Sequence, residues 1–447
     1  MRSHPGQYPK LWATGLTNNP VTGANGFYTF RLPFLRKIDD DCSFGCMRSS
    51  AEAGYHAMSS LTPPSQPSLP WRIGSSVTIG AVGAFCRTFL YGLSDPEVVG
   101  LDRFLKVLEE RRDVGARTRG LLTVSNHLSV MDDPLMWGVL PYNILFNPSL
   151  QRWSLGSYDI CFKNKALSTF FALGQTLPTH RTAHSEHGGL FQPTITQAIR
   201  LLSSQPFLTP EQALSSQRPK PSVSPKSPDV VDPFSSNSLV YPITYSTNGT
   251  DVFPAPSAYE SRKHSWVHIF PEGRIHQHPA LAMRYFKWGV SRMILESEPL
   301  PDIIPIFIDG TQNVMHESRT FPRFIPRTGK KIKVVFGDSV DGEKVFGDLR
   351  RRWRALVEMQ REALKKKGQD TTMEMGVLTE GLKYNPEAVA LRLEATQRMR
   401  NEVVKLRNSL GYDEEDPKNG LVETWIEEGK SGAREGHMKD DSWTKDT

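Results

Sequence analysis

Short apolar runs alternate with amphipathic stretches between residues 121 and 340 of the chain. Runs rich in β-branched and aromatic residues predict buried strands at residues 121–125, 266–270, 303–308 and 332–336. Apolar residues at helical spacing predict helices over residues 97–112 and 193–202. The pair Asp133-Pro134 predicts a helix start, because aspartate is a good N-cap and proline fits the first helical turn. Such alternation predicts an α/β protein with a central sheet flanked by helices.

Composition divides the chain into three parts. Residues 1–70 are rich in Gly, Pro, Asn and Ser, and predict an irregular N-terminal extension. Residues 71–346 predict one domain, interrupted at residues 203–263 by a Ser/Pro-rich insertion without periodicity that we expect to be disordered. Residues 347–447 predict a charged helical C-terminal extension, which ends in a polar, mobile tail from residue 411 onward.

The most apolar stretch of the chain is residues 75–93, and Arg87 interrupts it. A membrane-spanning helix needs about 20 consecutive apolar residues. No such run occurs in the sequence, so we do not expect a conventional membrane span. Two interpretations stay open, a helix that lies in a membrane interface and a buried helix of the domain core.

Bulk composition is that of a globular protein, with 38% hydrophobic and 23% charged residues. The formal net charge of +6 at pH 7 suits a negatively charged surface, either phospholipid or nucleic acid. The sequence has no RNP motif, zinc finger or long Lys/Arg block. We therefore expect a membrane surface and no nucleic acid as partner.

His127 and Asp132 stand five positions apart, where the first predicted strand gives way to a helix. Each helical residue turns about 100°, so the two side chains would not meet if both were helical. A loop conformation at His127 would fold the imidazole back onto Asp132. The carboxylate would then fix the tautomer, and the second nitrogen could take a proton from a hydroxyl. The alternative is a structural loop histidine beside helix-capping aspartates.

The segment F-P-E-G-R at residues 270–274 follows another predicted strand. Pro271 and Gly273 predict a tight turn, which would present Glu272 at a strand end, where α/β folds hold their sites. Glu272 could accept hydrogen bonds from glycerol hydroxyls, and Arg274 could hold a phosphate with two N–H groups. The alternative is a surface turn with a solvated ion pair.

Two further segments are weaker candidates. Lys163, Lys165 and Arg181 bracket an apolar run, which suits a lipid headgroup with an acyl chain beside it but also suits a core helix with solvated ends. Residues 304–306, Ile-Pro-Ile, lie in the third predicted strand, and taken alone they favour ordinary core over a site. The sequence contains no G-x-S-x-G, H-E-x-x-H, P-loop or G-x-G-x-x-G motif, which disfavours serine hydrolases, zinc proteases and nucleotide-dependent enzymes.

Taken together and in this order, the four segments resemble the glycerolipid acyltransferase superfamily. His127 and Asp132 are similar to its catalytic H-x-x-x-x-D motif, and residues 270–273 are similar to its F-P-E-G block. Arg181 is similar to its second, phosphate-side block, and residues 304–306 to its proline-bearing fourth block. The joint match is far more specific than any one block.

Several longer segments narrow the resemblance to the mitochondrial branch of this superfamily that remodels cardiolipin. They are TVSNHLSVMDDP (123–134), DICF (159–162), WVHIFPEG (266–273), RYFKWG (284–289) and the upstream SSVTIGAVG (75–83), which is similar to the membrane-associating stretch of that branch. The resemblance implies a glycerol-3-phosphate acyltransferase-like fold with a mixed central sheet. It covers residues 70–346, and the Ser/Pro-rich insertion is the main departure.

The resemblance also implies a reaction, a CoA-independent transfer of an acyl chain from phosphatidylcholine to monolysocardiolipin. His127 and Asp132 would be catalytic, and Glu272, Gly273, Arg274 and Arg181 would bind substrate. No cofactor or metal is expected. The partners implied are phospholipids, lysophospholipids and the membrane surface, with self-association or assemblies of mitochondrial membrane proteins left open. The implied location is peripheral, on inner and outer mitochondrial membranes facing the intermembrane space.

Two other functions stay open at this point. An acyl-CoA-dependent lysophospholipid acyltransferase would use the same His/Asp and Glu/Arg residues, so the motifs alone do not exclude it. A non-catalytic membrane-binding scaffold would use the charged C-terminal helices and the apolar stretch at residues 75–93. The intact residues His127, Asp132 and Glu272 argue against the scaffold.

Overall fold

A seven-stranded sheet lies at the centre of the computed structural model, which describes residues 66–204, 244–371, 373–425 and 435–445. The strands of the described residues are β1 (Asp95–Val99), β2 (Leu121–Ser125), β3 (Arg152–Ser157), β4 (Thr176–Thr179), β5 (Thr244–Tyr245), β6 (Phe253–Pro254), β7 (Trp266–Ile269), β8 (Ile275–Gln277), β9 (Asp302–Asp309), β10 (Lys331–Phe336), β11 (Gly436–His437) and β12 (Trp443–Lys445). The central sheet has the order β1-β10-β9-β2-β7-β3-β4. Strands β9, β2, β7, β3 and β4 are parallel, and β10 is antiparallel to β9. This confirms the predicted mixed sheet.

Helices cover both faces of this sheet. In chain order they are α1 (Leu69–Leu93), α2 (Leu101–Glu110), α3 (Asp132–Trp137), α4 (Tyr142–Leu145), α5 (Tyr158–Cys161), α6 (Lys165–Leu173), α7 (Pro193–Leu202), α8 (Gly289–Glu296), α9 (Thr311–Val314), α10 (Gly342–Lys366), α11 (Glu380–Tyr384) and α12 (Pro386–Ser409). Helices α1 to α4 pack on one face, whereas α7, α8, α10 and α12 pack on the other. The predicted α/β architecture with flanking helices is confirmed.

Strand β9 illustrates how the sequence builds two cores. Its side chains point to alternate faces, as in any strand. Ile303 and Phe307 join the core under α8 and α12, whereas Ile304, Ile306 and Ile308 join the core under α1 and α2. Because both faces are covered, the run is apolar at almost every position instead of alternating with polar residues.

Helix α1 lies against the domain through its small residues. A Cβ atom on Gly80 would come within 2.2 Å of the Phe146 ring, and one on Gly83 within 2.6 Å of Leu145. The helix leaves a set of large apolar side chains exposed: Leu69, Ile73, Val77, Phe85, Tyr91 and Leu93. By length and composition alone, α1 is long and apolar enough to cross a membrane. Whether it lies in a membrane interface or in the domain core, as the sequence left open, stays a prediction. The close packing onto α4 (residues 142–145) joins it to the domain as well.

The predicted disordered insertion, residues 203–263, is ordered in the parts that the structure describes. Residues 203 and 204 complete the turn after α7, and residues 244–263 contain β5, β6 and two 3-10 turns. The Asp251 carboxylate accepts hydrogen bonds from the backbone N–H of Thr247 and the hydroxyl of Ser246. These hydrogen bonds order a turn in a segment that has no periodic pattern of apolar residues. Disorder is therefore wrong for these residues, and residues 205–243 lie outside the described part of the chain.

The predicted helix over residues 97–112 begins later than expected. Asp95–Val99 forms the edge strand β1, and helix α2 starts only at Leu101. Strand β1 pairs in parallel with β10, whose residues follow more than two hundred positions later. Local spacing carries no information about such a distant partner, which explains the error.

The C-terminal part is less separate than its composition predicts. Helix α10 begins at Gly342, so the expected boundary at residue 346 falls inside a helix. Apolar residues of α10 and α12 join the central core, Trp353 and Met399 among them. The mobile-tail prediction is wrong for residues 435–445, because β12 pairs with β8 and so gains backbone hydrogen bonds. At the other end, α1 starts at Leu69, inside the expected irregular extension, and residues 1–65 lie outside the described part.

Candidate functional site

One edge of the sheet collects most of the predicted site residues. The carboxyl ends of β2, β7, β3 and β4 lie there because these strands are parallel neighbours. His127 follows β2, Glu272 follows β7, and Arg181 follows β4. Adjacent strands are about 4.8 Å apart, so the three steps from β2 to β4 separate His127 and Arg181 by about 14 Å. Parallel α/β sheets hold their sites at this edge.

The His127 imidazole and the Asp132 carboxylate meet directly. Nδ1 of His127 lies 2.8 Å from Oδ2 of Asp132. The same oxygen accepts the backbone N–H groups of Leu128 at 2.6 Å and Ser129 at 2.8 Å. The loop between β2 and α3 thus folds His127 back onto Asp132, as the sequence predicted. The carboxylate is fully buried, whereas the histidine side chain keeps 12% of its surface exposed.

Asp133, the next residue, belongs to a different contact. Its carboxylate binds the Arg152 guanidinium and the indole N–H of Trp137. Burial would raise the pKa of Asp133, but Arg152 outweighs it and holds the pKa below its usual range. Helix α3 starts at Asp132 and has Met131 in the N-cap position. The predicted N-cap role of Asp133 is therefore wrong, and the residue joins α3 to β3 instead.

Aromatic packing fixes the plane of the catalytic candidate. The His127 ring stacks on Phe270, with centroids 4.4 Å apart and planes 26° apart. Phe270 in turn meets the buried His268 ring edge-on at 4.5 Å. Burial lowers the pKa of His268 to about 3, so this imidazole is neutral and serves as a packing partner. The His127 ring is therefore held by a carboxylate at its edge and an aromatic ring on its face.

The Glu272 carboxylate accepts hydrogen bonds from two backbone N–H groups. Oε1 accepts the N–H of His127 at 2.8 Å, and Oε2 accepts the N–H of Arg284 at 2.9 Å. The residue is 3% exposed, so its carboxylate is not open to the glycerol hydroxyls that the sequence interpretation assigned to it, and the alternative of a solvated surface ion pair does not hold either. It instead ties the histidine loop after β2 to the segment before α8. The backbone N–H of His276 adds a third tie by donating to the His127 carbonyl at 2.9 Å.

Electrostatics at Glu272 follow from its burial. Burial raises the pKa of this carboxyl to about 8, although the N–H donors of Arg284 and His127 and the charge of Arg400 act in the opposite direction. Nδ1 of His276 lies 4.0 Å from Oε2 of Glu272. Burial also lowers the pKa of the His276 imidazole to about 3. The pair therefore favours its uncharged forms.

The F-P-E-G segment forms the tight turn that its sequence predicts. The N–H of Gly273 donates to the Phe270 carbonyl at 3.0 Å, with Pro271 at the second position of the turn. Gly273 has φ +61°, a conformation that favours glycine, and a Cβ atom there would come within 2.5 Å of the Lys287 ammonium. That ammonium donates to the Gly273 carbonyl at 3.0 Å. Arg274 lies partly exposed at the end of this turn.

Arg181 pairs with a carboxylate at the far end of the same edge. Its guanidinium binds the Asp159 carboxylate through two nitrogens, with Nε 3.1 Å from Oδ1. This contact holds the pKa of Asp159 below its usual range, against the opposite effect of burial. The third nitrogen, Nη1, is buried and has no hydrogen-bond partner among the described residues. Lys163 and Lys165 lie exposed near the start of α6.

Two positioning residues escaped the sequence interpretation. The Asn126 side-chain amide both donates to and accepts from the backbone of Ile308, at 2.9 and 2.8 Å, and so locks the end of β2 to β9. Gln277 donates to the Leu128 carbonyl at 2.8 Å, which supports the histidine loop from β8. The dipeptide Asn126-His127, directly after the strand, was a sequence signal from which the role of Asn126 could have been predicted. Nothing local in the sequence indicates the contact of Gln277.

No metal site is apparent in the described ranges. They contain no group of three or more His, Cys, Asp and Glu side chains placed to hold an ion. The imidazole of His127 is instead engaged by the Asp132 carboxylate.

Comparison with known proteins identifies the class. The chain is 34% identical over 377 residues to tafazzin from Saccharomyces cerevisiae, covering 81% of this chain and 86% of that protein. It is 26% identical over 271 residues to N-acylphosphatidylethanolamine synthase from Arabidopsis thaliana, covering 60% of this chain and 71% of that protein. A solved structure, the 1-acyl-sn-glycerophosphate acyltransferase from Thermotoga maritima, is similar with a TM-score of 0.32 and 15% identity, over 65% of this chain and 79% of that one. No family model matches the chain.

These relatives and the His–Asp pair at the sheet edge define a phospholipid acyltransferase. The superfamily resemblance seen in the sequence is thereby confirmed. The similarity to the yeast protein extends over most of both chains, and the chain belongs to the tafazzin family.

Proposed function

We propose that the protein is a CoA-independent phospholipid–lysophospholipid transacylase that remodels cardiolipin, taking acyl chains from phosphatidylcholine and giving them to monolysocardiolipin. The observation that carries the proposal is the 2.8 Å contact between His127 and Asp132 at the sheet edge. Membership in the tafazzin family supports the choice of lipid substrates and a mitochondrial location. The finer location, peripheral on membranes facing the intermembrane space, is part of the same proposal.

In this mechanism His127 is the general base. Asp132 holds Nδ1, so Nε2 is the nitrogen that takes the proton from the free hydroxyl of the lysolipid. The hydroxyl oxygen attacks the ester carbonyl of the donor and forms a tetrahedral oxyanion. The buried Asp132 carboxylate stabilises the imidazolium that exists at this stage.

Collapse of the oxyanion completes the exchange. The bond to the donor glycerol oxygen breaks, and that oxygen takes the proton back from His127. The acceptor leaves with the new ester, and the donor leaves as a lysolipid with a free hydroxyl. One ester replaces another, so the reaction is close to isoenergetic and reversible, and acyl preference can follow from the packing of the surrounding lipid.

The remaining site residues are proposed to position and bind. Glu272 holds the histidine loop through the N–H groups of His127 and Arg284, and Gly273 provides the turn that makes this reach. Arg274, partly exposed beside this turn, is proposed to bind a substrate phosphate. Arg181 is a second phosphate candidate about 14 Å away, at the end of the edge. It would contact a more distant part of a large headgroup.

Helix α1 is proposed to hold the enzyme on the membrane surface. Its exposed apolar side chains follow one another at steps of four residues from Leu69 through Ile73 to Val77. An interfacial helix buries such a face among lipid headgroups and acyl chains. The net charge of +6 adds attraction to anionic lipid.

The test is transfer of a labelled acyl chain from phosphatidylcholine to monolysocardiolipin in liposomes without CoA. We expect transfer by the wild type and none by His127→Gln, with circular dichroism and melting to establish that the variant is folded. His437→Gln, which changes a half-exposed imidazole outside the sheet edge, is the matched control and should transfer normally. Transfer that requires added acyl-CoA would establish a CoA-dependent enzyme instead. Transfer that persists in His127→Gln would refute the mechanism.

A further inference from the structure

A second set of exposed apolar side chains lies outside α1. Phe321, Phe324 and Ile325 keep 88%, 74% and 53% of their surfaces exposed. They belong to the segment of residues 318–331, which leads into β10 and ends at its first residue, and which we call the aromatic loop. Single apolar residues on a surface are ordinary, but concentrated apolar surface marks an interaction site. The catalytic mechanism makes no use of these residues.

Hydrogen bonds to backbone carbonyls hold the base of the aromatic loop. The Arg319 guanidinium donates to the carbonyls of Arg323, Met315 and His316. The N–H of Arg327 donates to the Val314 carbonyl at 3.0 Å. These contacts close the loop at its base and leave the aromatic tips outside. The exposure of the phenylalanines is therefore a built feature of the loop.

The charge of the aromatic loop indicates which kind of surface it binds. Residues 318–331, SRTFPRFIPRTGKK, contain five cations and no acidic residue. Arg323 contacts the buried Glu317 carboxylate but keeps 56% of its side chain exposed. Cations beside aromatic tips suit an anionic membrane, where the rings enter the apolar region and the cations remain at the phosphates. A protein partner would have to supply an acidic surface with a hydrophobic centre.

The loop lies at the same sheet edge as His127. Strand β10 is antiparallel to β9, so the start of β10 lies beside the end of β9, and the end of β9 lies at the carboxyl edge. Gln277 spans the two regions, because it donates to the Leu128 carbonyl and accepts the N–H of Glu317 at 2.9 Å. A surface that touches the aromatic loop therefore lies close to the catalytic histidine.

The loop also adjoins the end of α1. The N–H of Gly329 donates to the Leu93 carbonyl at 2.7 Å. Tyr91 and Leu93, at this end of α1, are half exposed. The apolar side of α1 and the aromatic loop are therefore neighbouring surfaces, which one membrane plane can contact together.

We propose that the aromatic loop is a second membrane contact, in which Phe321, Phe324 and Ile325 insert among acyl chains while Arg323 and Arg327 bind lipid phosphates. This inference deepens the proposed function, because it rests on a lipid surface as the place of reaction. Contact at two points, α1 and the loop, orients the sheet edge toward the bilayer and brings ester groups to His127.

The experiment measures partition of the full chain onto vesicles of phosphatidylcholine, with and without phosphatidylglycerol, by flotation. We expect Phe321→Ser with Phe324→Ser to weaken partition by about tenfold for each phenylalanine. The control is Met359→Ser with Leu393→Ser, which removes two large apolar side chains that are 60% and 53% exposed on α10 and α12, and it should leave partition unchanged. Arg323→Gln with Arg327→Gln should weaken binding to the anionic vesicles only, and added salt should abolish that difference.

The proposal would be overturned if the variant with both phenylalanines replaced partitions onto vesicles as well as wild type does. It would also be overturned if the control variant loses as much partition as the phenylalanine variant. An arginine pair with normal partition onto anionic vesicles would overturn its phosphate-binding part. Flotation needs no turnover, so its result is independent of acyl transfer. Failure of the loop and failure of the transacylase reaction are therefore distinguishable, because wild type that floats but transfers no acyl chain refutes the reaction alone.

Discussion

The Oδ2 atom of Asp132 lies 2.8 Å from Nδ1 of His127. The same atom accepts hydrogen bonds from the backbone N–H groups of Leu128 and Ser129, the two residues directly after the histidine. One oxygen atom therefore sets both the tautomer of the imidazole and the path of its loop. The five-residue spacing is what allows this, since a shorter loop could not return three donors to one carboxylate.

Replacement of Asp132 by asparagine tests that shared role. An amide oxygen can still accept backbone N–H groups, but it carries no charge to stabilise an imidazolium. We expect Asp132→Asn to lower kcat by about 10²- to 10⁴-fold with a small change in KM. Steady-state kinetics of acyl transfer on liposomes measure both constants.

Asp133→Asn is the matched control, because Asp133 contacts Arg152 and Trp137 and does not touch His127. It should lose stability, since a partly buried charge pair is broken, while kcat in the folded protein stays within a few-fold of wild type. An equal loss of kcat in both variants would contradict the assignment of the catalytic carboxylate to Asp132.

The raised pKa of Glu272 predicts a pH dependence of stability. Its folded pKa of about 8 exceeds the ordinary value of 4.5, so the folded state holds a proton that the unfolded state has lost between these values. The free energy of unfolding should therefore fall as pH rises from about 4.5 to 8, by at most about 1.4 kcal/mol per pH unit from this group. Chemical denaturation at a series of pH values measures the slope.

Glu272→Gln cannot titrate, so it should lack this part of the slope although it is less stable overall. Glu260→Gln changes an exposed glutamate and should keep the wild-type slope. If Glu272→Gln keeps the full slope, the decline with pH belongs to other groups.

The packing of α1 predicts a difference between two glycines of the same helix. A valine at Gly80 would overlap the Phe146 ring, whereas a Cβ atom at Gly92 meets nothing within 4 Å. We expect Gly80→Val to destabilise the protein by about 1–3 kcal/mol and to make α1 more susceptible to protease. Denaturation and limited proteolysis measure the two effects.

Gly92→Val should match wild type in both measurements, because its side chain would enter open space. Equal behaviour of the two variants would mean that α1 does not pack on α4 in solution.

Strand β12 predicts an effect of the C-terminal segment on the histidine loop. Thr444 lies opposite His276 in the β12–β8 pair, and the His276 N–H supports the His127 carbonyl. Trp443, the neighbour of Thr444, pairs with Gln277 and points its backbone N–H toward β8, because backbone groups alternate between the two sides of a strand. Trp443→Pro removes that donor and should separate β12 from β8. Amide hydrogen exchange at residues 127–129 and 275–277 should then accelerate, and kcat should fall.

Trp443→Phe keeps the backbone donor and an aromatic side chain, so exchange and kcat should remain near wild type. Unchanged exchange in Trp443→Pro would show that the histidine loop does not depend on β12.

The parts of the fold that sequence reasoning predicted well are those decided within a few neighbouring residues. Strand β2 and helix α7 have the predicted bounds, because a breaker or a proline marks their starts and apolar residues fill them. The His127–Asp132 contact was also predictable, since it needs only a five-residue loop. The F-P-E-G turn follows from its own proline and glycine.

The errors occur where a distant partner decides the structure. Strand β1 is too charged to be recognised without β10, and β12 forms only because β8 is available. The Glu272 carboxylate binds the backbone N–H of Arg284, a contact that no sequence motif specifies. A motif indicates which residue types meet, and the fold decides which atoms they bind.

The pairing of β12 with β8 also bears on biosynthesis. The His–Asp pair is translated about three hundred residues before Thr444, the residue whose strand covers His276. A chain still on the ribosome holds His127 and Asp132 without the strand that pairs with β8 beside their loop. The full set of contacts around the histidine loop therefore forms only after nearly the whole described chain has been synthesised.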